Sequence, residues 1–150
     1  MKPSDPFQIL TPNERWAPSQ SQMDIFQNAY EKLLPPMVYK IRLAVAKWRD
    51  ENYAGASDTS KDLLNFWFNQ EHLSSQSKFS FFFAQREAIE SIVFLYEVAK
   101  ARDKYELMRF DSSDRISTGM FDENWTRYVV KMATGAGKTK VMGLTLVWSY

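Results

Sequence analysis

The stretch VVKMATGAGKTKVMG, Val129 to Gly143, limits what this chain can fold into more than any other part of it. "TRYVVKMA" is rich in β-branched and apolar residues and reads as a short buried strand. "TGAGK" reads as a loop, and "TKVMGLTLVWSY" as a helix with Val141, Leu144 and Trp148 on one stripe. A strand that passes through a glycine turn directly into a helix aims several backbone N–H groups at one point. The helix end adds roughly half a positive charge there. Such a place suits phosphate oxygens. Gly135 and Gly137 allow positive φ and close approach, and Thr134 and Ala136 complete the cradle. Lys138 would reach the β- and γ-phosphates of ATP, and the Thr139 hydroxyl would hold magnesium. Met132 stands where the strict GxxxxGK pattern has glycine, so the match is to the core TGxGKT.

Upstream, the pattern is helical. Residues 1–20 hold four of the six prolines and read as an extended arm with Phe7, Ile9 and Trp16 as anchors. A helical region is expected over 21–75. Met23, Phe26, Tyr30 and Leu33 recur at helical steps behind a Ser21–Asp24 capping box, and Pro35-Pro36 stops that helix. Val38, Ile41, Val45 and Trp48 share one face of a second helix, with Lys40, Arg42, Lys47 and Arg49 on others. A third starts at Ser57 to Thr59 and carries Leu63, Leu64, Trp67 and Phe68 inward. Ser74 to Lys78 reads as a loop. The helix within "FSFFFAQREAIESIVFLYEVAKA" is apolar around most of its circumference, which predicts burial on more than one side. Residues 102–125 read as a long connection, with strand character at "YELMRF".

Composition excludes some classes. Aromatics at 15% and hydrophobics at 45% suit a packed core. The net charge of +1 gives no general attraction to nucleic acid, so any contact must come from local patches. The absence of cysteine excludes disulfides and thiolate metal sites. No apolar run suits a membrane span or a signal peptide, so the expectation is a cytoplasmic protein with no membrane partner.

"MATGAGKT" resembles motif I of superfamily two helicases, and "FFFAQREAIESI", Phe81 to Ile92, is similar to the segment that carries the Q-type glutamine in helicases of type I and type III restriction systems. "NYAGASDTSKDLLNFWFNQEHL" also resembles the helical region ahead of the motor in such DEAD/DEAH-box proteins. The resemblance covers roughly residues 30–150. It implies a mostly α N-terminal region leading into the start of an α/β RecA-like P-loop domain over 76–150, with an incomplete sheet and an insertion at 102–125. It further implies ATP and Mg2+ as cofactors, double-stranded DNA as track, a modification (methyltransferase) subunit as partner and, in many members, a nuclease domain. Gln85 would then read adenine, since its amide carries both a donor and an acceptor. The family's second motif, an Asp-Glu pair, is expected beyond Tyr150, so this chain is expected to be a short product or a fragment of a longer protein.

Other readings remain open on the residues alone. The loop suits any P-loop ATPase or kinase, and the helical region suits a non-catalytic DNA or protein docking module. Phe79, Phe81, Phe82 and Phe83 are expected to pack at a helix start rather than stack on a base. His72 has no metal-binding companion and is assigned no role. Lys40, Arg42, Lys47 and Arg49 are expected on a solvated face, with phosphate contact as the alternative. Glu87, Glu90 and Glu97 are expected to face solvent.

Overall fold

The computed structural model describes residues 5–10, 37–74, 77–111 and 127–150. The expected first helix at Ser21–Leu33, the Trp16 anchor and residues 112–125 of the expected insertion lie outside them.

Helix α1 spans Val38–Asp50, and its expected apolar stripe is the packed one: Val45 and Trp48 are buried, Val38 and Ile41 half-buried. The turn after it places Asn52 and Tyr53 at φ 50° and 58°. A left-handed backbone is rare for a side chain as bulky as tyrosine and persists only where surroundings enforce it. Here the Tyr53 ring is 1% exposed and meets Trp48 edge-on at 4.9 Å.

Helix α2, Asp58–Asn69, starts at Ser57, whose hydroxyl accepts the Ser60 N–H at 3.2 Å. Such a cap contributes about 1 kcal/mol. Leu64 and Trp67 are buried, and Leu63 and Phe68 pack against the same core. Beyond α2 the ends of the expected loop at Ser74–Lys78 are instead strand: β1, His72–Ser74, pairs antiparallel with β2, Ser77–Phe79, with Leu73 opposite Lys78, and 75–76 lie outside the described residues. Polar serines carry no strand signal, and a lone two-stranded hairpin is marginal. Aromatic packing supplies the difference: His72 meets Phe66 edge-on at 4.9 Å, and Phe79 meets Phe81 at 4.9 Å.

Helix α3, Phe83–Val93, continues into a π-helical turn at Phe94–Val98. It is the central element, touching α1, α2 and α5, which matches its apolar circumference. Its entry is covered by the N-terminal segment: Phe7 packs on Phe82 at 5.2 Å, and the Phe83 N–H donates to the Pro6 carbonyl at 2.9 Å. Where strand character was expected at "YELMRF", a short helix α4, Lys104–Met108, forms. Asp103 accepts the Glu106 N–H at 2.9 Å, and the turn lets Leu107 and Phe110 join Leu95 and Ala101 in a second apolar cluster.

Helix α5, Lys138–Ser149, buries Val141 and Leu144 and packs Trp148 on the main core. The strand expected before it does not form. Residues 127–133 have no strand pairing, and Val129 is 92% exposed. An isolated strand leaves its N–H and C=O groups without a neighbour, and among the described residues the hairpin is the whole sheet. The fold described is therefore mostly helical, with one small antiparallel sheet. None of its helices is long and apolar enough to cross a membrane.

Candidate functional site: a glycine turn opening α5

The segment before α5 turns tightly: the Ala136 N–H donates to the Ala133 carbonyl at 3.2 Å. Gly135 at φ 81° and Gly137 at φ 78° both take the left-handed conformation, which costs other residues roughly 1–2 kcal/mol. Gly137 is also the residue on which α5 begins, and its carbonyl accepts the Lys140 N–H at 3.0 Å. Consecutive peptides in such turns form a concave nest of N–H groups. No residue among those described accepts from the N–H of Gly135, Gly137, Lys138 or Thr139. The electropositive start of a helix thus carries several donors in want of an acceptor.

Lys138 is exposed and its Nζ donates to the Ala133 carbonyl at 3.0 Å, which keeps an ammonium beside the turn. Thr134 and Thr139 are exposed on either side of the glycines.

Gln85 sits in the first turn of α3 and is only 5% exposed. Its Oε1 accepts the Phe82 N–H at 3.0 Å, which satisfies one of the donors a helix start leaves free. Its Nε2 donates to the Ala136 carbonyl at 3.1 Å, 51 positions along the chain. These two partners together decide which way the amide points. The fold therefore brings Gln85 against the loop of Thr134, Gly135, Ala136, Gly137, Lys138 and Thr139. The approach is close enough that a Cβ on Gly137 would overlap Gln85 Nε2.

The acidic residues of α3 are not where sequence placed them. Glu90 is fully buried, Glu87 is 8% exposed and Glu97 is half-buried. Glu90 accepts from Arg49 Nε, from Arg86 Nε at 2.8 Å and from the Tyr53 hydroxyl at 2.8 Å. Arg49 NH2 closes a second contact to the same carboxylate. Burial disfavours the Arg49 charge, but Glu90 outweighs it and leaves the guanidinium pKa above its ordinary value. Burial, reinforced by the Glu90 charge, pushes the Tyr53 phenol up. Arg42 likewise pairs with Glu87 at 3.3 Å, and Lys40 donates to the Asp111 carbonyl. Of the four basic residues expected on a solvated face of α1, Arg42 and Arg49 are thus turned inward, while Lys40 and Lys47 stay exposed, Lys47 beside Glu51 at 3.7 Å. Residue type misled here. The i,i+4 spacing of Arg86 and Glu90 was the available signal for an ion pair.

The aromatic residues pack as expected. Phe83 is buried, and Phe81 meets Phe68 edge-on at 5.6 Å. They leave a cavity of about 270 Å³ between Phe7, Trp67, Phe68 and Arg86. His72 places Nε2 3.2 Å from the Trp67 carbonyl. Among the described residues, no group of three His, Cys, Asp or Glu is placed to hold a metal ion. Comparison of the chain with protein-family models, with curated proteins and with solved structures finds no match.

Proposed function

We propose that the turn from Ala133 to Lys138 binds the phosphates of ATP and that the chain is the N-terminal part of an ATP-dependent DNA helicase or translocase of superfamily two, of the kind found in restriction systems. The observation that supports it is the pair of left-handed glycines at the mouth of α5, with unclaimed N–H groups on Gly135, Gly137, Lys138 and Thr139. Phosphate oxygens accept from those groups, and Lys138 exchanges the Ala133 carbonyl for the anion. Thr139 supplies one hydroxyl to magnesium, which keeps waters and phosphate oxygens for its other positions. Gln85 has amide capacity left for adenine, since an amide carries two N–H donors and two acceptor lone pairs and each end uses one.

Hydrolysis, movement on double-stranded DNA and assembly with a methyltransferase subunit rest on the sequence resemblance. The basic residues of α1 take no part in the proposal, because Arg42 and Arg49 already serve Glu87 and Glu90. Titration of the chain with a fluorescent ATP analogue tests the binding step. Lys138→Ala should abolish measurable binding while leaving the helical signal intact, because the side chain is exposed; unchanged affinity would remove the assignment. Gln85→Ala separates this reading from another P-loop ATPase or kinase, in which preference for adenine over guanine would survive the change.

A further inference from the structure

Gly137 gives the turn a weakness as well as its shape. A residue without Cβ lets the peptide between Ala136 and Gly137 rotate by half a turn at little cost. A trans peptide holds its C=O and N–H antiparallel. The direction of the Ala136 carbonyl therefore dictates that of the Gly137 N–H. In one orientation the nest gains a donor; in the other a carbonyl oxygen enters it and repels an anion. The Ala136 carbonyl is the atom that Gln85 Nε2 contacts, at 3.1 Å, from a side chain 5% exposed and anchored at its other end by the Phe82 N–H.

We infer that Gln85 is a positioning residue of the loop: by holding the Ala136 carbonyl it locks the following peptide with its N–H turned away from Gln85 and available to phosphate, whatever base the nucleotide carries. This rests on the phosphate-binding reading above and adds to it. Gln85 contributes to the affinity for a polyphosphate with no base at all, and base recognition and loop shape are linked through one amide.

The probe is inorganic tripolyphosphate, titrated calorimetrically into the full chain. Glu at position 85 keeps an acceptor for the Phe82 N–H but at about pH 8 has no proton for Ala136. Gln85→Glu should weaken tripolyphosphate binding about tenfold, the size of one well-made hydrogen bond. At about pH 5 burial favours the protonated acid, which can donate again, so the ratio of wild-type to variant affinity should return toward unity. Gln85→Ala, which has no proton to regain, should lose as much at both pH values and stands in if the Glu variant fails to fold at the higher one. Equal tripolyphosphate affinity in wild type and both variants overturns the positioning role, as does a Glu-variant deficit that persists at low pH. A wild-type chain that binds no tripolyphosphate fails the phosphate-binding reading itself.

Discussion

Arg49 and Glu90 form a buried ion pair that joins the end of α1 to the middle of α3, with Glu90 fully enclosed and Arg49 9% exposed at its side chain. Arg86 and the Tyr53 hydroxyl complete the shell around the same carboxylate. One acid therefore satisfies two guanidinium groups and holds the strained turn at Tyr53.

Removing that acid strands two cations. Glu90→Gln should lower the unfolding free energy by about 3–5 kcal/mol, the range for breaking one partner of a buried pair. Chemical denaturation followed by circular dichroism reads it directly. A loss below about 1 kcal/mol would mean that water reaches the cluster and the pair is an ordinary surface one.

Two glycines of the same region should respond in opposite senses. Gly137 has φ 78°, and a Cβ there would overlap Gln85 Nε2. Gly137→Ala should therefore cost roughly 1–2 kcal/mol from backbone alone and displace the Gln85 side chain as well. Gly143 lies inside α5 with nothing within 4 Å of a built Cβ. Gly143→Ala should stabilise the chain by about 0.5–1 kcal/mol. Thermal melts of the two variants make the comparison; destabilisation by Gly143→Ala would mean that α5 does not have the helical backbone described.

How far the sequence foretold these features follows from where each feature's energy lies. Helices α1, α2 and α5 carry their signal in local periodicity, and Val45, Trp48, Leu64 and Val141 are buried where that periodicity put them. The glycine turn was equally legible, because Gly135 and Gly137 are local backbone requirements. The burial of Glu90 was only partly legible: the i,i+4 spacing of Arg86 hints at a local pair, but the enclosure depends on Arg49 and Tyr53 arriving from the end of α1 and the turn after it, about forty positions away. The strand expected at 127–133 has suitable residues, but a strand is made by its neighbours, and Val129 is exposed without one. "YELMRF" has strand-favouring aromatics at both ends, yet Lys104–Met108 folds as a helix, because Asp103 caps it and Leu107 finds the Leu95 cluster.

A capping network at the other end of α3 gives the fold its clearest pH dependence. Glu97, in the π-helical turn, accepts from the Ser57 N–H at 3.0 Å and the Ser57 hydroxyl at 3.2 Å. It also accepts from Ser60 Oγ at 2.7 Å, and that same hydroxyl receives Trp148 Nε1 at 2.8 Å. One carboxylate thus ties the start of α2 to the end of α5. Burial pushes the Glu97 carboxyl up, but the Ser60 and Ser57 hydrogen bonds prevail and hold it below the ordinary 4.5. The folded pKa lies below the unfolded one, so the contribution is complete above about pH 4.5 and is lost as pH falls through the folded value. Melting temperature should therefore drop between about pH 5 and about pH 3, and Glu97→Gln should show a shallower drop over the same interval. Because Trp148 sits on the network, its fluorescence should shift in the wild type over that interval and stay flatter in the variant. Parallel pH profiles for both proteins would mean that Glu97 titrates as a free surface acid and that the α2–α5 tie carries no charge-dependent stability.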